Sequence, residues 1–191
     1  MPRILLAGAA MLFAGLIACT PIGGTTPLID AARAGDTAAM EMLLKAGANP
    51  DQPAGVNNWT PLLHAIHKGR RESVRVLIQY GAKVNLEAGG TTPLIMAAGY
   101  GYAGIVKLLL ASGADPMERD RDGYTALSAA VGGVPDHDRF TVGHCQTDTV
   151  KELLDRAPQL RLRNTLGDET AVRVAKFAGC REVVRMVRFE E

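Results

Sequence analysis

The heptapeptide Gly-Gly-Thr-Thr-Pro-Leu-Ile occurs at residues 23–29 and again, unchanged, at residues 89–95, an offset of 66, or twice 33. Few architectures accommodate such a chain, because a period of roughly 20 to 50 residues marks stacked supersecondary units. Shorter markers keep the same phase. Thr26-Pro27-Leu28, Thr60-Pro61-Leu62, Thr92-Pro93-Leu94 and Thr125-Ala126-Leu127 are spaced 34, 32 and 33 apart, and Thr170-Ala171-Val172 is a degraded fifth copy. A second marker, the pairs Gly47-Ala48, Gly81-Ala82 and Gly113-Ala114, follows the apolar stretches Leu43-Leu44, Leu77-Ile78 and Leu108-Leu109-Leu110.

Capping chemistry converts these markers into one structural unit. Threonine caps a helix N-terminus, and proline is tolerated at the first helical position because its missing N–H has no intrahelical partner there anyway. A short helix is therefore expected at each marker, with Ala31-Ala32, Ala97-Ala98 and Ala129-Ala130 letting neighbouring helices approach. Nine residues after the threonine stand Gly35, Gly69, Gly101 and Gly179, where a tight turn leads into a more apolar second helix. That helix ends at the glycine of the Gly-Ala pair, which can adopt the left-handed conformation of a C-terminus. The chain is thus expected to be an all-α solenoid of about five helix-turn-helix units joined by extended, β-hairpin-like fingers. The units lie near 25–57, 58–90, 91–123, 124–168 and 169–191, with the first and last expected to be atypical.

The pattern resembles ankyrin repeats: a Thr-Pro-Leu-His helix start, an Ala-Ala, a central Gly and a Leu-Leu-x-x-Gly-Ala end, recurring over about 165 of the 191 residues. The family's histidine is replaced by Ile29, Leu63, Ile95 and Ser128. The resemblance implies that the inter-finger hydrogen bonds of that histidine are lost, leaving looser loops on an intact stack. It also implies a protein partner lying along the concave groove of finger tips and first helices. Trp59, Thr91, Tyr124 and Glu169 directly precede the threonines, while Arg33, His67, Lys68 and Tyr100 stand at first-helix ends. Trp59, Tyr124, Tyr100, His67, Lys68 and Arg33 are the candidate partner-binding residues, since Trp, Tyr and Arg are enriched in interface hot spots. Trp59 and Tyr124 could instead pack against adjacent fingers.

Ahead of the repeats, Arg3 is followed by an apolar run from Ile4 to Ala18, the pattern of an export signal. At 15 residues the run is short for a transmembrane helix, which needs roughly 20. Leu16-Ile17-Ala18-Cys19 resembles the lipobox of bacterial lipoproteins, implying cleavage of residues 1–18, acylation of Cys19 and a short tether over 19–24. Two or three acyl chains anchor stably where one does not. Thr20, which is not Asp, implies sorting to the outer membrane in a Gram-negative cell, with the domain on the periplasmic face. Plain secretion and an apolar N-terminal helix of a cytosolic protein are the alternatives.

The fourth unit breaks the period: 45 residues separate Thr125 from Thr170, and the surplus falls in an insertion at about 132–146. Long loops are often functional, yet loop-closure entropy also lets neutral insertions persist. In an oxidising compartment Cys145 and Cys180, both in turns before second helices, are expected to form a disulfide. A metal site from His137, Asp138, His144 and Cys145 is the alternative, although the spacing matches no closed zinc pattern.

No catalytic constellation is legible. Ser73, Ser112 and Ser128 lack a nucleophile motif, and His64 and His67 are expected to be ordinary surface residues. Basic and acidic side chains nearly balance, 21 against 20, which gives no field for nucleic acid. The expectation is a monomeric, cofactor-free, membrane-anchored lipoprotein that binds a protein partner in the bacterial envelope. Two alternatives are an immunity protein neutralising a periplasmic toxin and a structural component of an envelope assembly.

Overall fold

The computed structural model describes residues 24–133, 144–162 and 166–187. Cys19 and its lipobox lie outside these residues, as do residues 134–143 of the insertion with His137 and Asp138. Among the described residues the chain forms ten helices: α1 (Pro27–Ala34), α2 (Thr37–Lys45), α3 (Pro61–His67), α4 (Arg71–Gln79), α5 (Pro93–Gly99), α6 (Ala103–Ala111), α7 (Ala126–Gly132), α8 (Thr147–Arg156), α9 (Leu166–Phe177) and α10 (Arg181–Met186). They form no strands there. Isolated antiparallel bridges, Ala54 with Trp59, Ala88 with Thr91 and Arg119 with Thr125, close three fingers.

Four of the first helices start where their threonines dictate. The side chains of Thr26, Thr60, Thr92 and Thr125 accept from the backbone N–H groups of Ile29, Leu63, Ile95 and Ser128 at 3.2–3.4 Å. Proline follows three of these caps, and the residue before a proline is disfavoured in helical conformation, so the start is fixed from both sides. Ala126 lacks that constraint. There the Ser128 hydroxyl accepts from the Thr125 N–H at 2.8 Å, completing a capping box. The turn glycines nine residues on, Gly35, Gly69, Gly101 and Gly179, all have positive φ, between +66° and +85°.

The fifth unit departs from expectation. Thr170 does not cap α9, which starts four residues earlier, at Leu166. No proline follows Thr170 to forbid helix at that point, and Arg173 stands where Ser128 completes the box in the fourth unit. The added turn carries Asp168, which is fully buried and meets the Arg119 guanidinium at 3.7 Å. Arg119 also donates to the Gly123 carbonyl at 2.6 Å, so one side chain holds the third finger and approaches the last unit.

First helices stack as α1, α3, α5, α7 and α9, and second helices as α2, α4, α6, α8 and α10. Leu62, Leu63, Ile66, Leu94, Leu127, Leu77, Leu109 and Leu153 fill the continuous core between the two rows. Ile29, Leu63, Ile95 and Ser128, at the family's histidine position, are all buried. α7 and α9 approach closely at Gly132, where an added Cβ would lie 3.0 Å from Ala171. Finger bases are joined by polar bridges. The Lys83 N–H donates to the Asp51 carboxylate at 2.9 Å. One unit on, Asn85 accepts from the Asp115 N–H at 3.0 Å and donates to the Gly113 carbonyl at 3.0 Å. Met117 occupies the next equivalent position, 25 residues after its threonine.

Loss of a cap exposes one donor, whereas loss of a capping box disturbs two. Thr92→Ala should therefore lower unfolding free energy by about 1 kcal/mol, and Thr125→Ala combined with Ser128→Ala, which removes both acceptors of the box, by about 2, as measured by urea titration of the two variants beside the parent.

Candidate partner-binding surface

Five rings cluster from the first finger to the third turn. Trp59 meets His64 and His67 with centroids 5.6 and 5.2 Å away, His67 meets Tyr100 edge-on at 5.6 Å, and Tyr100 lies 5.7 Å from Tyr102. A hydrogen bond of 3.0 Å joins His67 Nδ1 to the Tyr100 hydroxyl. The structure corrects the expectation for both histidines: His64 and His67 are buried, at 7% and 6% exposure, because Trp59 packs against both rings and Tyr100 against His67. His67 therefore supports the row, and the half-buried Trp59, Tyr100 and Tyr102 are its accessible members.

Lys68 caps the end of α3 and is half-buried, while Arg33 is exposed at the end of α1. Tyr124 stands apart. Its N–H donates to the Asp120 carboxylate at 2.8 Å in the third finger, and no ring contact joins it to the row among the described residues. Trp59 also packs on the neighbouring finger: a Cβ on Gly89 would fall 2.5 Å from its Cδ1 and 2.4 Å from the Asn57 carbonyl. Trp59 thus has a packed base and a half-open edge.

Tyr102 was not legible as a candidate, yet it belongs to a second periodic device. Ten residues after the threonines stand Arg70, Tyr102 and Gln146 of successive units, the last displaced by the insertion. Their side chains lie over the turn glycine of the preceding unit, 3.1–3.3 Å from where a Cβ would be on Gly35, Gly69 and Gly101. Arg70 Nε donates to the Arg33 carbonyl at 3.1 Å, and Gln146 Nε2 to the Gly99 carbonyl at 2.7 Å. Cys180 holds the corresponding place in the fifth unit and is disulfide-bonded to Cys145, with Cα atoms 5.2 Å apart. The cue was the glycine nine residues after Thr26, Thr60 and Thr92, since a missing Cβ leaves room for the neighbour's side chain. Phe177, at the end of α9 where Arg33 and His67 stand in their own helices, is 97% exposed.

Burial holds the His64 imidazole below its usual range, and the Arg33 charge adds to the effect. The Ala54 carbonyl, 3.4 Å from Nε2, works against it. No group of three or more metal-ligating side chains is found among the described residues, and no helix there is long and apolar enough to cross a membrane.

Profiles of ankyrin repeats match residues 4–88 and 81–130. The chain belongs to the ankyrin-repeat family. It is 30% identical over 128 residues to a putative ankyrin repeat protein of Rickettsia bellii, covering 66% of this chain and 49% of that one. It is 36% identical over 115 residues to a glycerophosphocholine phosphodiesterase of Schizosaccharomyces pombe, covering 59% and 10%. An ankyrin repeat and SOCS box protein of Danio rerio is 35% identical over 120 residues, covering 63% and 41%. The matched region thus spans half or less of each of these relatives.

Two outcomes follow from the packing around the row. Gly89→Ala should cost about 3 kcal/mol or more, because overpacking adds to left-handed strain, whereas Gly113→Ala, with open space around it, should cost about 1 to 2 by urea denaturation. For His64, the unfolded imidazole titrates near 6.5 and the folded one lower, so the unfolded state binds more protons between the two values. Its contribution to stability is complete above about pH 6.5 and falls as the pH drops through that value. His64→Gln should flatten the decline between pH 7.5 and 5.5; equal slopes in the two proteins would contradict this.

Proposed function

We propose that this chain is a non-catalytic protein-interaction module whose partner lies along the row formed by Trp59, Tyr100, Tyr102, Lys68 and Arg33. The observation that carries the reading is the row itself: aromatic rings from two successive units, rigidly seated on buried His64 and His67, with one edge left accessible. Rigid aromatics lose little conformational entropy on binding, which is why such side chains dominate interface energetics. The phosphodiesterase named among the relatives is matched over a tenth of its length, so that likeness gives no ground for an activity here.

We further infer a lipid anchor at Cys19 and a site of action in the bacterial envelope, on the periplasmic face of the outer membrane. This rests on the basic residue, apolar run and Leu16-Ile17-Ala18-Cys19 sequence. The partner is then an envelope protein, met by a monomer held close to the bilayer. A toxin neutralised in the periplasm and a structural assembly are the competing forms of the same interaction.

Crosslinking in intact cells, followed by affinity capture of the full chain, tests the surface. Arg33→Ala with Tyr100→Ala should weaken the captured complex about thirtyfold if the row holds a hot spot. Met42→Ala on the second-helix row should leave it unchanged, and equal capture by both variants would refute the row. Labelling with a clickable fatty acid tests the anchor: the parent should incorporate label and Cys19→Ala should not.

A further inference from the structure

The turn-to-turn ladder changes character at its last rung. Arg70, Tyr102 and Gln146 each rest on a neighbouring glycine through noncovalent contacts. In the fourth unit the insertion replaces the glycine turn, and the rung from the fifth unit is the covalent Cys145–Cys180 bond. Its two residues differ in surroundings: Cys180 is buried at 3% exposure, whereas Cys145 is exposed. Beside Cys145 opens a cleft of about 450 Å³ bounded by Tyr100, Gly101, His144, Gln146 and Asp148. In the last unit α9 is held by its packing on α7, where Ala171, Val172 and Ala175 are buried, and the bond bears on the shorter second helix. α10 has six residues, buries Val183 and rests on α8 and α9.

We propose that the Cys145–Cys180 disulfide is a thiol-sensitive latch that holds the fifth unit on the stack and is opened by a dithiol reductant entering at Cys145. The inference does not depend on the partner-binding reading. In the first step the reductant thiolate attacks the Cys145 sulfur, forming a mixed disulfide and expelling Cys180 as a thiolate. In the second, the reductant's other thiolate attacks its own sulfur in that mixed disulfide and releases Cys145. The two protons given up by the reductant end on Cys145 and Cys180. Two electrons pass to the cysteines, and the reductant leaves as its own disulfide. Access decides which sulfur is attacked, because exchange needs an in-line approach to an exposed sulfur.

A cross-link over 35 residues constrains the unfolded chain strongly. In a solenoid that stability is read locally, since each unit answers mainly to its neighbours. Hydrogen exchange of the full chain, with and without dithiothreitol and with reduction confirmed by alkylation mass, provides the test. Exchange in residues 166–187 should rise at least about tenfold while residues 26–112 stay unchanged. The variant Cys145→Ser with Cys180→Ser should match the reduced parent and ignore reductant. Unchanged exchange in α9 and α10 after complete reduction overturns the latch. So does uniform acceleration along the chain, or a double variant that fails to fold, because the bond is then a staple for the whole domain. With limiting glutathione the adduct should map to Cys145, and an adduct on Cys180 would overturn the direction of attack.

Discussion

Each unit of this chain has an apolar face that only the next unit can cover, and the threonine caps set where that face begins. A cap fixes the first residue of a seven- or eight-residue helix, and so fixes which side chains point inward. Leu62 and Leu63, Leu94 and Ile95, and Leu127 then meet in register, and the core continues from unit to unit. Where the cap fails, at Thr170, the helix runs back to Leu166 and burial of Asp168 follows from the extra turn.

The same periodicity produces the candidate surface. Positions that recur at fixed distances from the threonines fall on shared edges of the stack. The turn glycines give one edge its closeness, allowing Arg70, Tyr102 and Gln146 to reach back over the preceding unit. Trp59 and Tyr100 belong to the adjoining row because His67 lies between them. The surface is therefore a by-product of stacking, and its chemistry is set by which residues occupy a few repeated positions.

Much of the fold was legible because capping and turn formation are local. The four threonine caps and the turn glycines follow from residues within ten positions of one another. Burial of His64 and His67 was not legible, since it depends on Trp59 and, for His67, on Tyr100 from the next unit. Helix spacing alone left both histidines looking solvent-facing. Tyr102 was missed because its contact lies with Gly69, 33 residues away and recognisable only once the units are superposed. Of the six proposed binding positions, Trp59, Tyr100 and His67 come together in one row, Tyr124 sits apart in its own finger, and Arg33 and Lys68 lie at first-helix ends.

The finger-base bridges carry a mechanical implication. Asp51 and Asn85 bolt the first joint and the second, while Met117 stands at the third and, being a thioether, offers the next unit no comparable acceptor. The third joint is fastened by other means: α7 packs on α5, α8 packs on α6, and Gln146 of the fourth unit donates to the Gly99 carbonyl of the third.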